Sequence, residues 1–267
     1  MIKTLKTMSK QDKERYTVPR KVQDVIPVRR IWQDGIFLTG NKFSKTYQFS
    51  DINYLVASRE DKESMFLIYS ELLNSLDSGA VTKITINNRR TNKANFENSI
   101  LMPMQEDFRD EYRREYNQML LDKATGANGI IQEKYITVSV CKKDIEEART
   151  YFARIGADLI AHFAALGSKC TELDAAEKLR VLHDFYRQGE EAAFHFDPQD
   201  MMRKGHDFKD YICPDFMEKS SDCLKLGEKY CRVLFLKDYA SYIKDSMVTE
   251  LTDFNRNMML SIDVVDR

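Results

Sequence analysis

The sequence has little of what marks a specialised chain. Its 267 residues include only 5 Pro, 10 Gly and 1 Trp. So few turn formers exclude collagen-like and low-complexity chains and argue for many helices joined by short links. The 5 cysteines, Cys141, Cys170, Cys213, Cys223 and Cys231, are odd in number and form no C-x-x-C pair. A disulfide framework and a zinc ribbon are thereby excluded, and reduced thiols fit. No stretch approaches the roughly 18 apolar residues that span a bilayer, and residues 1–20 carry charges where a signal peptide would be apolar. Neither sign of charge is in excess: 41 Lys and Arg face 42 Asp and Glu, for a net charge of −1, so nothing global points to nucleic acid. The phosphate loop G-x-x-x-x-G-K-[ST] and the dinucleotide fingerprint G-x-G-x-x-G are also missing, so no nucleotide or other cofactor is expected.

What is present is a globular composition, 43% hydrophobic and 31% charged. That is enough apolar surface for a sizeable core, and the length allows one large or two small domains. Charge is unevenly placed. Residues 1–30 hold nine bases, among them Arg15, Arg20, Lys21, Arg29 and Arg30, against three acids. A basic arm ahead of an acidic body reads either as a solvated, flexible terminus or as a contact for anionic lipid or a partner's acidic face. We place that arm at residues 1–27 and an α+β domain at 28–267, with a division into two sub-domains near 28–141 and 142–267.

Periodicity organises the rest. Residues 28–38 and 43–49 read as two strands of a hairpin about Thr39-Gly40-Asn41-Lys42. Ser58 stands three before Asp61 as a helix start, followed by Met65, Tyr69, Leu72 and Leu76 at helical spacing, and then by a strand over 81–88. Phe108, Tyr112, Tyr116 and Met119 trace a second amphipathic helix ending near Gly126, before a strand over 135–140. Asp144 with Glu147, and Asp174 with Glu177, are capping boxes. The first opens a helix with the stripe Phe152, Ile155, Leu159, Phe163 and Leu166, and the second one with Leu179, Leu182 and Tyr186. The short link between them predicts an antiparallel pair. Residues 190–229 read as irregular, after which 230–236, 243–254 and 260–264 read as strand, helix, strand. The expectation is a helix-rich α+β fold of repeated split β-α-β, ferredoxin-like units, with helices packed on a mixed or antiparallel sheet.

Candidate chemistry is thin. His195 and Asp197 with His206 and Asp207 form the nearest approach to a metal or acid–base cluster. Arg154, Asp158 and His162 share a helix flank, where weak ion pairs are common. Gly126-Ala-Asn-Gly129 sits between helix and strand and reads as a helix stop. Arg89 and Arg90, with Lys93 and Phe96, make a short basic patch at the exit of a strand, a solvated loop charge or a phosphate contact.

Several stretches together resemble one family: Lys21-Val-Gln-Asp-Val-Ile-Pro27, Phe49-Ser-Asp-Ile-Asn-Tyr54 leading into Ala57-Ser-Arg-Glu-Asp-Lys62, Asp122-Lys-Ala-Thr-Gly-Ala127, Leu182-His-Asp-Phe-Tyr-Arg187 and Arg203-Lys-Gly-His-Asp-Phe-Lys-Asp-Tyr-Ile-Cys-Pro214. In order and spacing they are similar to the N-terminal region of TraC/TrbE-like conjugal-transfer ATPases of type IV secretion systems, in the form found on mobile elements of Gram-positive bacteria. The resemblance implies a region that precedes a motor domain and docks it to inner-membrane subunits at the cytoplasmic face. The motor's Walker segments do not occur in this sequence, so no nucleotide-binding residue is assigned. It therefore implies a noncatalytic docking domain, separated from its motor by a truncated or split gene. Its partners would be other secretion subunits and the motor in trans, with peripheral contact to anionic membrane through Arg15, Arg20, Lys21, Arg29 and Arg30, and with room for self-association. No catalytic or metal residue is assigned. The second reading is an independent single-stranded nucleic-acid binder using Arg89, Arg90 and the N-terminal bases. The third is an enzyme built on His195, Asp197, His206 and Asp207.

Overall fold

A short helix, α1 (Val22–Val25), precedes three antiparallel strands, β1 (Val28–Ile31), β2 (Phe37–Thr39) and β3 (Lys42–Phe49). A computed structural model describes residues 19–54, 56–76, 79–90, 101–126, 130–236, 242, 245–253 and 256–264. The single strand expected over 28–38 is broken into β1 and β2 by a turn in which the Gly35 N–H donates to the Trp32 carbonyl at 3.0 Å. Gly35 has φ +77°, a backbone only glycine adopts without strain. Asp34-Gly35 is the turn signal inside that apolar run. The loop at 39–42 is the second turn, as the sequence suggests.

After β3, helices and strands alternate. The order is α2 (Arg59–Asn74), β4 (Ala80–Arg90), α3 (Asp110–Gly126), β5 (Ile130–Val140), α4 (Ile145–Ala165) and β6 (Cys170–Glu172). β5 pairs antiparallel with both β3 and β4, so β3 and β4 run parallel with β5 between them. β3 likewise pairs antiparallel with β5 and β6, so those two run parallel with β3 between them. Two split β-α-β units interlock in the order β6-β3-β5-β4, which is the ferredoxin-like arrangement. α3 is inserted between them. The α+β class is as expected, but the second unit occupies 130–172 rather than 230–264. A three-residue strand such as β6 leaves no period-2 signal to read. Position 141/142, the suggested division, falls inside this unit between β5 and α4.

Helices α2 and α4 cover one face of the sheet. Ser58 and Asp144 cap them by accepting from Asp61 N at 3.1 Å and Glu147 N at 2.9 Å. Phe152, Ile155, Leu159 and Phe163 of α4 and Leu72 of α2 pack on Phe43, Tyr47, Ile136 and Val138. Each such side chain contributes about 1.5–3 kcal/mol on burial. A second core joins Ile26, Val28 and Phe37 to Leu179 of α5 (Ala175–Tyr186) and to Phe208 and Ile212. Because Phe37 alternates with Ile36 and Leu38, these cores lie on opposite faces of the meander. α4 and α5 therefore belong to different cores and not to the antiparallel pair expected, because β6 intervenes between them.

The stretch read as irregular holds α6 (Pro198–Lys204), two 3₁₀ turns and a separate antiparallel sheet of β7 (Met217–Lys219), β8 (Leu224–Leu226) and β9 (Lys229–Cys231). The strand expected over 230–236 reduces to β9. α7 (Asp245–Thr252) then leads to β10 (Met258–Val264), which pairs antiparallel with β4 and forms one edge of the main sheet; β1, and the three-residue β6 paired with β3 on the same side, form the other. Of the arm assigned to 1–27, residues 1–18 lie outside the described residues. The remainder is fastened to the second core by Ile26, by Gln23 donating to Asp210 at 3.0 Å, and by Lys209 Nζ donating to the carbonyls of Gln23 and Ile26.

Candidate docking surface

α3 forms where its spacing predicts, and its apolar stripe faces outward. Tyr112, Tyr116 and Met119 are exposed by 71%, 44% and 41%, and Phe108, in the turn two residues before the helix, continues the row at 83%. Met102 and Met104, in the segment leading to the helix, extend the same kind of surface. The approach to α3 is locked. Arg113 donates to Asp107 at 2.6 Å and to Asp110 at 2.5 Å, and Asn117 bridges the N–H and carbonyl of Met102 at 2.9 Å each. The Arg113 hydrogen bond holds the Asp107 carboxyl below its ordinary range; at Asp110 the Gln105 N–H leads and Arg113 follows. The helix thus presents its stripe from a fixed base. With four acidic and three basic residues over 110–126, it lacks the cationic flank of a helix that lies on anionic lipid. Exposed Phe, Tyr and Met are what protein interfaces favour.

The basic residues singled out from the sequence are partly accounted for. Arg15 lies outside the described residues. Arg20 and Lys21 are exposed ahead of α1, and their backbone N–H groups both donate to the Asp24 carboxylate. Arg29 and Arg30 are both exposed on β1. A bulge between Val28 and Arg30 explains why neighbours on a strand share an exposed position, since it breaks the period-2 alternation.

Arg89 is not a loop charge. β4 continues to Arg90, and the Arg89 guanidinium grips Glu133 of β5 through two bonds of 3.1 Å, while Tyr135 donates to the same carboxylate at 3.0 Å. Burial and Glu133 push the Tyr135 phenol far above its ordinary range. Lys93 and Phe96 lie outside the described residues. On the same side of β3, Lys178 Nζ donates to the Ser44 carbonyl and hydroxyl at 3.2 Å each and sits 4.2 Å from the Phe37 ring centre. Burial first, and Lys45 second, lower its pKa to about 7. Nothing in the spacing of the sequence marks Lys178, which becomes unusual only when α5 closes over β2 and β3.

A cleft of about 480 Å³ beside α4 is lined by Asp34, Ile36, Lys45, Arg149, Phe152 and Glu172 among others. Its charges are already matched, Lys45 with Glu172 and Arg149 with Asp34. The acid–base candidates are also engaged locally. Asp197 caps α6 through Gln199 N at 2.8 Å, Asp207 caps a 3₁₀ turn through Lys209 N at 2.9 Å, and His206 lies 3.6 Å from Asp210. Among the described residues no three His, Cys, Asp or Glu converge as a metal site. Arg154 and Asp158 are exposed on α4, and Arg154 stacks near Tyr151 at 5.6 Å. Burial raises the thiols of Cys170 and Cys213 to about 11, away from nucleophilic use. Among the described residues no helix is long and apolar enough to cross a membrane.

Neither a protein-family model nor a curated protein matches the chain. The surface must be interpreted from its own chemistry. Its candidate contact groups are the α3 stripe, the exposed bases of residues 20–30, and a run at 233–236 whose four large apolar side chains stand 55–84% exposed.

Proposed function

We propose that this chain is a noncatalytic docking domain of a conjugal-transfer ATPase of the TraC/TrbE-like kind, joining other type IV secretion subunits at the cytoplasmic membrane face. The observation that carries the docking reading is the outward stripe of α3, held on a braced helix and rich in the residues that bury at protein interfaces. Its occupant is a protein subunit with an apolar groove, the helix-in-groove mode in which residues three and four apart on one helix face, here Tyr112, Tyr116 and Met119, serve as anchors. The assignment to conjugation rests on the ordered sequence resemblance. Single-stranded nucleic acid is the weaker reading, because the Arg89 guanidinium is bound to Glu133.

The test is a titration of the purified chain against the inner-membrane transfer subunits and against the motor domain supplied in trans. The chain alone is expected to bind no ATP and to bind one of these proteins. The double substitution Phe108→Asp with Tyr112→Asp should weaken that binding by more than about tenfold, since truncating interface anchors of this type typically costs about 2 kcal/mol or more. Far-UV circular dichroism should stay unchanged, because both side chains are exposed. ATP binding by this chain, or equal affinity of the double variant, would overturn the reading.

A further inference from the structure

We infer that two copies of this chain associate by strand exchange, residues 232–236 of each copy adding to the open edge of β10 in the other. Val233, Leu234, Phe235 and Leu236 are exposed by 75%, 84%, 81% and 55%. Four consecutive apolar residues with β-branched and aromatic members are the pattern of a strand buried on both faces. Among the described residues this run nevertheless pairs with no strand. Its base is held, since β9 precedes it and the Arg232 side chain donates to the Asp222 carbonyl at 2.9 Å.

The sheet supplies what the run lacks. Its two edges are unequal. On one side β1 is blunted by a bulge and by Arg29 and Arg30, and β6 is only three residues long, devices that discourage edge pairing. β10 has none of these: it holds seven residues in uninterrupted register with β4, contains no proline, and its one charged residue, Asp263, faces Lys83 of β4 at 3.4 Å. Five residues of added strand span about 17 Å, within the length that seven paired residues offer.

The occupant comes from outside the chain for a physical reason. β9 and the start of β10 lie near each other, because Lys229 approaches Gly189 and Asn257 donates to Gln188. So short a tether raises the effective concentration of 232–236 at its own β10 to the millimolar range or above, and an accepting geometry would fill that edge within one chain. The edge is unfilled among the described residues. The same chain carries both the unpaired strand and the unpaired edge, so a twofold pair of copies satisfies both at once and closes. This inference goes beyond the docking assignment and does not depend on the partner of α3.

The experiment is light scattering of the full chain after size exclusion, from 1 to 100 µM loading (on the order of the concentrations at which modest interfaces populate). The expected mass rises toward twice 31.2 kDa. Phe235→Glu and Ile262→Lys should each shift the dimerisation midpoint upward by at least about tenfold. Phe235 is exposed and Ile262 is 38% exposed, so both variants are expected to fold, with circular dichroism as the check. Mixing the two variants restores one intact strand–edge pair and should give more dimer than either alone. A monomer at every concentration overturns the inference. So does dimerisation that survives Ile262→Lys, which would put the run on some other surface, or protection of 233–236 from hydrogen exchange in a monomer, which would put it on its own chain.

Discussion

Two glycines with similar backbone and different surroundings separate strain from contact. Gly35 and Gly40 have φ of +77° and +61°. An alanine at either would meet the left-handed penalty of about 1–2 kcal/mol. At Gly40 a Cβ has nothing within 4 Å, whereas at Gly35 it would sit 2.0 Å from the Leu173 carbonyl oxygen and 3.0 Å from its carbon. That collision is with backbone, so no rotamer relieves it. The turn at 32–36 must then withdraw from the segment joining β6 to α5. Withdrawal loosens the Ala175 N–H to Gln33 carbonyl bond of 3.3 Å beside the Asp174 cap of α5, and it displaces Ile36 and Phe37, one in each core. Strain, one hydrogen bond and partial loss of two buried side chains together come to about 3–5 kcal/mol. Urea unfolding followed by circular dichroism should therefore give about 1–2 kcal/mol for Gly40→Ala and at least about 2 kcal/mol more for Gly35→Ala. Equal losses for the two variants would refute the close approach of 35 to 173 and with it the seam between the cores.

Two further predictions use single groups. Lys178 binds its proton at about 7 when folded and at 10.5 when free, so between those values the unfolded chain holds the extra proton and stability rises with pH. The rise is at most about 1.4 kcal/mol per pH unit. Lys178→Met should remove that slope relative to wild type and raise stability most below pH 7; unchanged pH dependence in paired urea titrations would show that the ammonium is solvated. Asn117→Ala removes both bonds to Met102, so hydrogen exchange at Met102 N–H should accelerate while the global unfolding midpoint barely moves, since α3 stands outside both cores. A large global loss would mean that α3 supports the sheet.

The sequence was most legible where one element's local chemistry decided its fate. Ser58, Asp144 and Asp174 cap the helices they announce, and Leu72, Phe152, Ile155 and Leu159 are buried as their spacing predicts. It was least legible where the outcome depended on a second element. The α3 stripe reads identically whether a sheet covers it or not, because periodicity records amphipathicity and not the presence of a partner. β6 carries the second split unit on three residues, too few for alternation. The run at 233–236 has strand composition, but a strand needs a neighbour, and that neighbour is absent from the described chain. Residues 190–229 read as irregular because their order comes from caps such as Asp197 and Asp207, acids that beside His195 and His206 resemble a site.

The distribution of charge and apolar surface argues in one direction. Inside, Arg89 is matched with Glu133 and Lys45 with the partly exposed Glu172, while the buried Lys178 is held by the Ser44 carbonyl and hydroxyl. Removing one member of a pair whose partner is buried leaves that partner uncompensated, so these groups are held in place by the fold. Outside, the reverse holds. Phe108, Tyr112, Leu234 and Phe235 face solvent at 71–84% although nothing in their local structure requires it. Single exposed apolar residues are ordinary; rows of them on a braced helix and on a run of strand composition are not. A chain optimised only to fold alone would bury those rows. Their exposure is explained if assembly supplies the missing cover, as the proposed docking role and the inferred pairing of copies both require.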